Sequence, residues 1–294
     1  MILAAGLTPA WQQILQFERL TTGQVNRART VMWCGSGKVL NVGAALHQLG
    51  SPSLTLSPIG GATGEQIRTD FARRQIPARW ITTAAPTRVC TTLLDESTGT
   101  TTELVENSQP LTELELRQYV AAFAEVARAA RFVVLSGSLP QQTPIDFYRT
   151  LLEQTTATAI MDVRGRELLA CLPLRPFLVK PNREELAATV GRTLETDESL
   201  IAAMSEVRQL GAEWVVVSNG PDPLLVLGPR GLTRITPPRV QVVNPIGSGD
   251  SLTAAIAMKL HAGAEPLDAI RFGVEYAARK AATIAPVLGR DEVP

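Results

Sequence analysis

Phe132-Val133-Val134-Leu135-Ser136-Gly137-Ser138-Leu139-Pro140 decides the fold class. Its first four residues are apolar without interruption, and a glycine turn follows. A strand that is apolar at every position is covered on both faces, as in a parallel sheet flanked by helices. Upstream, Thr112-Glu113-Leu114-Glu115 has the pattern of a capping box and predicts a helix to about residue 131. Downstream, Thr143-Pro144 predicts another helix start, a cap residue with proline in the first turn. The pattern continues with strands at 159–162, 177–180 and 214–217, a helix capped by Asn182 with Glu185, and a helix from 197 to 211. Apolar strands alternating with helices at this spacing predict an α/β protein with a mostly parallel sheet.

Two stretches break the alternation. Residues 9–32 and 84–107 carry β-favouring, alternating sequence with no helix between their segments. They predict a few antiparallel strands standing off the main sheet, either a lid or simple edge hairpins. No repeat, low-complexity tract or linker divides the 294 residues, so one domain is expected.

The composition narrows the function classes. There are 28 basic and 28 acidic residues, and the zero balance argues against a general nucleic-acid binder. The hydrophobic fraction is 45% and the charged fraction 19%, as in a globular protein. No apolar run approaches the roughly 18 residues of a membrane span, so no membrane partner is expected. Three scattered cysteines form no disulfide framework, and two histidines argue against a histidine metal site. No basic leader precedes Arg19 and no glycosylation sequon occurs, so a reducing, cytoplasmic setting is expected.

Four motifs carry the chemistry. Asn244-Pro245-Ile246-Gly247-Ser248-Gly249-Asp250-Ser251 follows an expected strand at 240–243 and opens an alanine-rich helix from 251 to about 261. Its glycines expose successive N–H groups at a helix N-terminus, which suits an anion. A carboxylate beside an anion has a chemical use as a general base on an attacking hydroxyl; the plain alternative is an N-cap aspartate. Gly35-Ser36-Gly37-Lys38-Val39-Leu40-Asn41 offers a flexible backbone, a cation and an amide before a helix expected at 42–49. It is not a P-loop, because Val39 stands where Ser or Thr is required. Lys180-Pro181-Asn182-Arg183-Glu184-Glu185 places an amide and a carboxylate three residues apart, a spacing that suits the water shell of Mg²⁺ and equally a capping box. Ser136-Gly137-Ser138 sits at a strand's carboxyl end, where ligands bind in such sheets, and Arg88 is a candidate phosphate clamp.

In order and spacing these segments resemble the ribokinase/PfkB carbohydrate kinases, in the branch of 1-phosphofructokinase and tagatose-6-phosphate kinase. Further matches are Leu7-Thr8-Pro9-Ala10, Gly23-Gln24-Val25-Asn26-Arg27-Ala28 and Gly60-Gly61-Ala62-Thr63-Gly64. The resemblance runs from Met1 to about Leu288. It implies a ribokinase-like core with a β-strand lid that pairs in a homodimer, and ATP with Mg²⁺. It implies that Asp250 is the catalytic base and that Gly247, Ser248 and Gly249 form the anion hole. Lys180, Asn182, Glu185, Ser218, Asn219 and Gly220 match nucleotide-side positions, with Glu185 acting on the metal through water. Gln12, Gly37, Lys38, Asn41, Arg88 and Ser138 match the substrate side.

The departures concern recognition. Gln12 replaces an aspartate that grips sugar hydroxyls, and Trp11 replaces an aliphatic residue. Ser36 and Val39 replace glycines, and Pro221 and Pro223 stiffen the nucleotide segment. Lys38 and Arg88 favour a phosphorylated sugar such as fructose 1-phosphate or tagatose 6-phosphate. A kinase of an unphosphorylated sugar or nucleoside, and a catalytically weak sugar or nucleotide sensor, are the alternatives. A dinucleotide oxidoreductase is disfavoured, because no G-x-G-x-x-G follows the first strand.

Overall fold

The wholly buried strands at 2–5 and 132–136 sit at the centre of one sheet, and the strands at 10–17 and 89–95, which alternate in burial, join another. The computed structural model describes residues 1–289. In chain order the strands are β1 (Ile2–Ala5), β2 (Ala10–Phe17), β3 (Thr30–Ser36), β4 (Ser53–Gly60), β5 (Ala78–Thr83), β6 (Val89–Asp95), β7 (Thr100–Val105), β8 (Phe132–Ser136), β9 (Thr158–Asp162), β10 (Leu178–Val179), β11 (Trp214–Asn219), β12 (Asp222–Gly228) and β13 (Gly231–Ile235). The helices are α1 (Lys38–Gln48), α2 (Gly61–Arg73), α3 (Glu113–Ala127), α4 (Phe147–Leu152), α5 (Gly165–Cys171), α6 (Arg183–Val190), α7 (Asp197–Gln209), α8 (Ser248–His261) and α9 (Pro266–Ala281).

The large sheet has the order β13-β12-β11-β10-β9-β8-β1-β4-β5. It is parallel from β11 to β5, and β12 and β13 extend it antiparallel. Pleating sends alternate side chains to opposite faces. Ile2 and Ala4 of β1 therefore enter one core with α1, α8 and α9, while Leu3 and Ala5 enter the other with α3 to α7. After β1 the large sheet grows to one side through β4 and β5, then restarts on the other side with β8. That reversal at β1 opens a crevice at the carboxyl ends of the strands, the place where open α/β sheets hold ligands.

The second sheet has the order β3-β2-β6-β7. Its two hairpins, β2 with β3 and β6 with β7, are antiparallel as expected, but β2 and β6 join them in parallel, because β6 arrives by a long crossover through α1, β4, α2 and β5. Its inner face buries Gln12, Ile14, Cys34, Cys90 and Thr92. Its outer face stacks Trp11 on Trp33, with ring centroids 5.8 Å apart. Val31, Trp33 and Leu104 are exposed on that face.

Several boundaries differ from the sequence reading, each for a local reason. The expected strand at 240–243 is irregular chain; the N–H groups of Val243 and Asn244 both donate to the Ala281 carbonyl at the end of α9, which takes the place of a sheet partner. The helix expected at Thr143-Pro144 begins at Phe147 instead, because Thr143 and Phe147 close turns onto the carbonyls of Pro140 and Pro144. Helix α1 begins at Lys38, four residues before the expected start. Gly37, at φ 88°, lets β3 turn directly into the helix, and a Cβ there would lie 2.7 Å from the Thr8 carbonyl. Helix α8 likewise begins at Ser248, three residues early, after Gly247 at φ 85°. The capping boxes expected at Thr112/Glu115 and Asn182/Glu185 are both formed.

Candidate active site

Two strand ends and three helix starts build the site. β9 ends on Asp162, β10 leads into Lys180, α1 starts with Lys38 and carries Asn41, α6 carries Glu185, and α8 carries Asp250 and Thr253. Lys38 Nζ donates to Asp162 Oδ1 at 2.9 Å and to Glu185 Oε1 at 2.8 Å. Lys180 Nζ lies 3.2 Å from Asp162 Oδ2. Thr253 Oγ1 lies 3.0 Å from both Asp162 Oδ2 and the Gly249 carbonyl, tying the loop to β9. Asn41 Nδ2 donates to Asp250 Oδ2 at 2.7 Å, and Ser36 Oγ donates to Asn41 Oδ1 at 3.0 Å.

The cluster sets two carboxyl groups far apart in acidity. Asp162 is fully buried, but the ammonium groups of Lys180 and Lys38 outweigh that burial and hold its pKa down at about 2. Asp250 is pushed up to about 6, first by burial and then by the Asp162 charge, against the pull of Lys38, Asn41 and Lys180. Two aspartates in one cluster thus titrate on opposite sides of the ordinary range, a pattern that separates a structural anion from a proton acceptor. Lys38 is raised despite burial, because Asp162, Glu185 and Asp250 all favour its charged form.

The glycine loop supplies donors. Ser251 N–H donates back to the Gly247 carbonyl, whereas no acceptor among the described residues meets the N–H groups of Gly247, Gly249 or Asp250. Orphan donors at a helix N-terminus, together with the helix dipole, form an anion cradle. The hydroxyls of Ser248 and Ser251 are buried there and also lack a partner among the described residues. A Cβ at Gly247 would lie 2.4 Å from the Pro286 carbonyl, so the turn admits no larger residue without rearrangement.

The remaining candidates divide. Asn182 and Ser218 form a parallel bridge at the ends of β10 and β11, beside the turn at Gly220, and Asn219 Nδ2 donates to Asp222 at 3.3 Å. Asn182 also caps α6, accepting from Glu185 N–H at 2.7 Å while its own N–H donates to Glu185 Oε2 at 3.0 Å. Ser138 is exposed at the end of β8, with its carbonyl accepting from Thr8. Gln12 is buried and donates to Thr92 Oγ1 at 2.8 Å. Arg88 directs its guanidinium to the carbonyls of Thr8, Pro9 and Glu106, so it braces the second sheet against the β1 loop.

The sequence reading missed Asp162 and Thr253. A faint signal was present for Asp162, a single carboxylate closing the apolar run Ala159-Ile160-Met161. Thr253 had none, being a threonine inside an apolar helix. Lys38, read as a substrate-side cation, reaches the site through its carboxylate partners.

A protein cage for a metal is absent: among the described residues no group of three or more His, Cys, Asp or Glu side chains could hold an ion. Glu185 has both oxygens engaged once, by Lys38 and by the Asn182 N–H. Lone pairs remain on each oxygen for water, so Mg²⁺ fits here with its water shell and ligand phosphates.

The nine-stranded sheet with its flanking helices and four-stranded companion is a ribokinase-like fold. The pfkB family carbohydrate kinase profile matches residues 10–284, and the chain belongs to that family. It is an ATP-dependent carbohydrate kinase. Its fold is similar to that of phosphofructokinase-2 from Escherichia coli in complex with fructose-6-phosphate, at 28% identity and a TM-score of 0.88, covering 100% of this chain and 97% of that one. The same enzyme in complex with potassium superposes with a TM-score of 0.89 at the same identity and coverage. A possible 1-phosphofructokinase from Thermotoga maritima shares the fold at 21% identity, with a TM-score of 0.89 over 100% of this chain and 96% of that one.

Proposed function

We propose that the enzyme transfers the terminal phosphoryl group of ATP to a hydroxyl of a sugar phosphate, of the fructose 1-phosphate or tagatose 6-phosphate type. The observation that carries this is the placement of Asp250, with a pKa near 6, in the first turn of a helix where the N–H groups of Gly247, Gly249 and Asp250 meet no acceptor among the described residues. Asp250 takes the proton of the attacking hydroxyl. The N–H groups of Gly247, Gly249 and Asp250 stabilise charge on the transferring group. Asn41 orients the Asp250 carboxylate, and the Lys38–Asp162–Lys180 cluster fixes its field. Asn182 and Glu185 would hold the water shell of Mg²⁺, which would supply neutralisation of phosphate charge. The segment from Ser218 to Gly220 lines the nucleotide side.

The substrate side combines Gln12, Gly37, Lys38, Asn41 and Ser138, with Arg88 at the base of the four-stranded sheet. That sheet is the lid, and its outer face, with Val31, Trp33 and Leu104, supports pairing in a homodimer. The chain is read as one kinase domain spanning residues 1–294. Cys34, Cys90 and Cys171 are buried free thiols, in keeping with a reducing, cytoplasmic setting. No helix among the described residues is long and apolar enough to cross a membrane.

ADP release measured with Mg²⁺-ATP against fructose 1-phosphate, fructose 6-phosphate, tagatose 6-phosphate, the unphosphorylated sugars and nucleosides tests the reading. Turnover is expected with a phosphorylated ketohexose. Turnover confined to an unphosphorylated sugar or nucleoside would overturn the substrate class, and binding without any turnover would favour a sensor.

A further inference from the structure

A second buried lysine stands behind the glycine loop. Lys280, on α9, has no exposed surface. Its Nζ donates to the Asn244 carbonyl at 2.7 Å and, in a still shorter contact, to the Ile246 carbonyl. Burying an ammonium is expensive unless its hydrogen bonds are met, so its place here calls for a reason.

The Ile246 carbonyl and the Gly247 N–H are the two ends of one planar peptide unit. In a trans peptide they point in opposite directions. All the described peptide bonds are trans. A cation gripping the Ile246 oxygen from the α9 side therefore turns the Gly247 N–H away from α9, and polarises it as a donor. The surrounding bonds hold the same segment. Asn244 Nδ2 donates to the Ile284 carbonyl at 2.7 Å, and its Oδ1 accepts from Ile246 N–H at 3.0 Å. The N–H groups of Val243 and Asn244 cap the Ala281 carbonyl. The loop is laced to the end of α9, and Lys280 is its one cationic tie among the described residues. Burial lowers the Lys280 pKa to about 7 while the Asp250 charge opposes the shift, and an anion arriving at the loop favours the ammonium further.

We propose that Lys280 is a positioning residue for phosphoryl transfer, a tethered cation that fixes the Ile246–Gly247 peptide for anion binding and does so in place of a monovalent cation from solution. This rests on the loop being the anion hole of the proposed reaction. An ammonium and a potassium ion are alike in charge and similar in size, and backbone carbonyls bind both. A lysine built into the chain makes the dissolved ion unnecessary.

The test uses whichever acceptor the wild-type enzyme turns over, so failure of the substrate reading is seen first and separately. Wild-type turnover is measured in sodium, potassium and tetramethylammonium chloride at equal ionic strength. Equal rates are expected, and several-fold activation by potassium would overturn the proposal. Lys280→Met keeps the side-chain bulk without the charge; kcat is expected to fall by about 100-fold, the scale of a lost oxyanion donor, with little change in the KM for sugar. Lys280→Ala leaves room at the two carbonyls, and potassium, ammonium or propylammonium is expected to restore part of its kcat where lithium does not. Wild-type kcat in a folded Lys280→Met variant would overturn the proposal. So would a Lys280→Ala variant that folds, loses turnover and responds to none of these cations.

Discussion

The carboxyl edge of the large sheet and the inner face of the small sheet face the same task with opposite materials. At the large sheet's edge five charged groups, Lys38, Lys180, Asp162, Glu185 and Asp250, are locked by ion pairs and hydrogen bonds between residues far apart in sequence. On the small sheet the matching contacts pair no opposite charges: Gln12 on Thr92, and Arg88 on backbone carbonyls. The first arrangement tolerates little change, because removing one partner strands a buried charge. The second can exchange side chains at small cost. On the proposed reading the first arrangement carries transfer and the second recognition, and Gln12 and Trp11 are departures from the family resemblance that lie on the second.

The largest expected effect lies at the large sheet's edge. Asp250→Asn keeps the shape and an acceptor for Asn41 but removes the base, and kcat is expected to fall by about 10²–10⁴ with ATP affinity little changed. The same substitution stabilises the fold. A carboxyl group raised from 3.8 to about 6 binds more protons folded than unfolded between those values, so its ionisation costs stability progressively as the pH rises from about 4 to 6 and in full above that. Thermal unfolding at pH 7.5 is expected to show Asp250→Asn more stable by roughly 2–3 kcal/mol, an advantage that disappears near pH 4. An unaltered or lowered Tm at pH 7.5 would show that the cluster does not strain Asp250.

Asp162→Asn has the opposite sign. Its carboxyl group, held at about 2, contributes stability at neutral pH that is lost only as the pH falls towards that value. The substitution leaves Lys180 buried with no carboxylate, and a loss of about 3–5 kcal/mol is expected in urea unfolding. A loss under about 1 kcal/mol, the size of a surface pair, would place the cluster in solvent-like surroundings.

The smallest effect is expected on the small sheet. Gln12→Asp exchanges a neutral amide for an ionised acceptor, worth about 1 kcal/mol or roughly five- to tenfold in preference among sugar phosphates. An unmoved preference would detach this position from recognition.

This contrast also divides what the sequence made legible. Local signals were readable: the alternation of apolar strands and helices, the capping boxes at Thr112 and Asn182, and the glycine turn before Asp250. Asp162, Thr253 and Lys280 were not, because their meaning lies in partners that the chain brings together only on folding. Lys38 is separated from Asp162 by 124 residues and from Glu185 by 147, and Asn41 from Asp250 by 209. Lys280 sits in Arg279-Lys280-Ala281, which in sequence reads as an ordinary basic helix end. Positive-φ glycines set the helix starts at Lys38 and Ser248, a backbone property that residue patterns only hint at.

The central claim is that the buried cluster tunes Asp250 as the base, and the acid limb of kcat/KM for sugar phosphate tests it in wild type and in Asn41→Ala side by side. The wild-type limb should fall near pH 6, the value of the free enzyme. Asn41 donates to the charged carboxylate and so lowers its pKa; without that bond the limb should move to higher pH, whereas ionisation of the substrate's own phosphate would stay in place. A limb at the same pH in both proteins, or activity undiminished well below pH 5, would contradict the assignment of Asp250 as the titrating base.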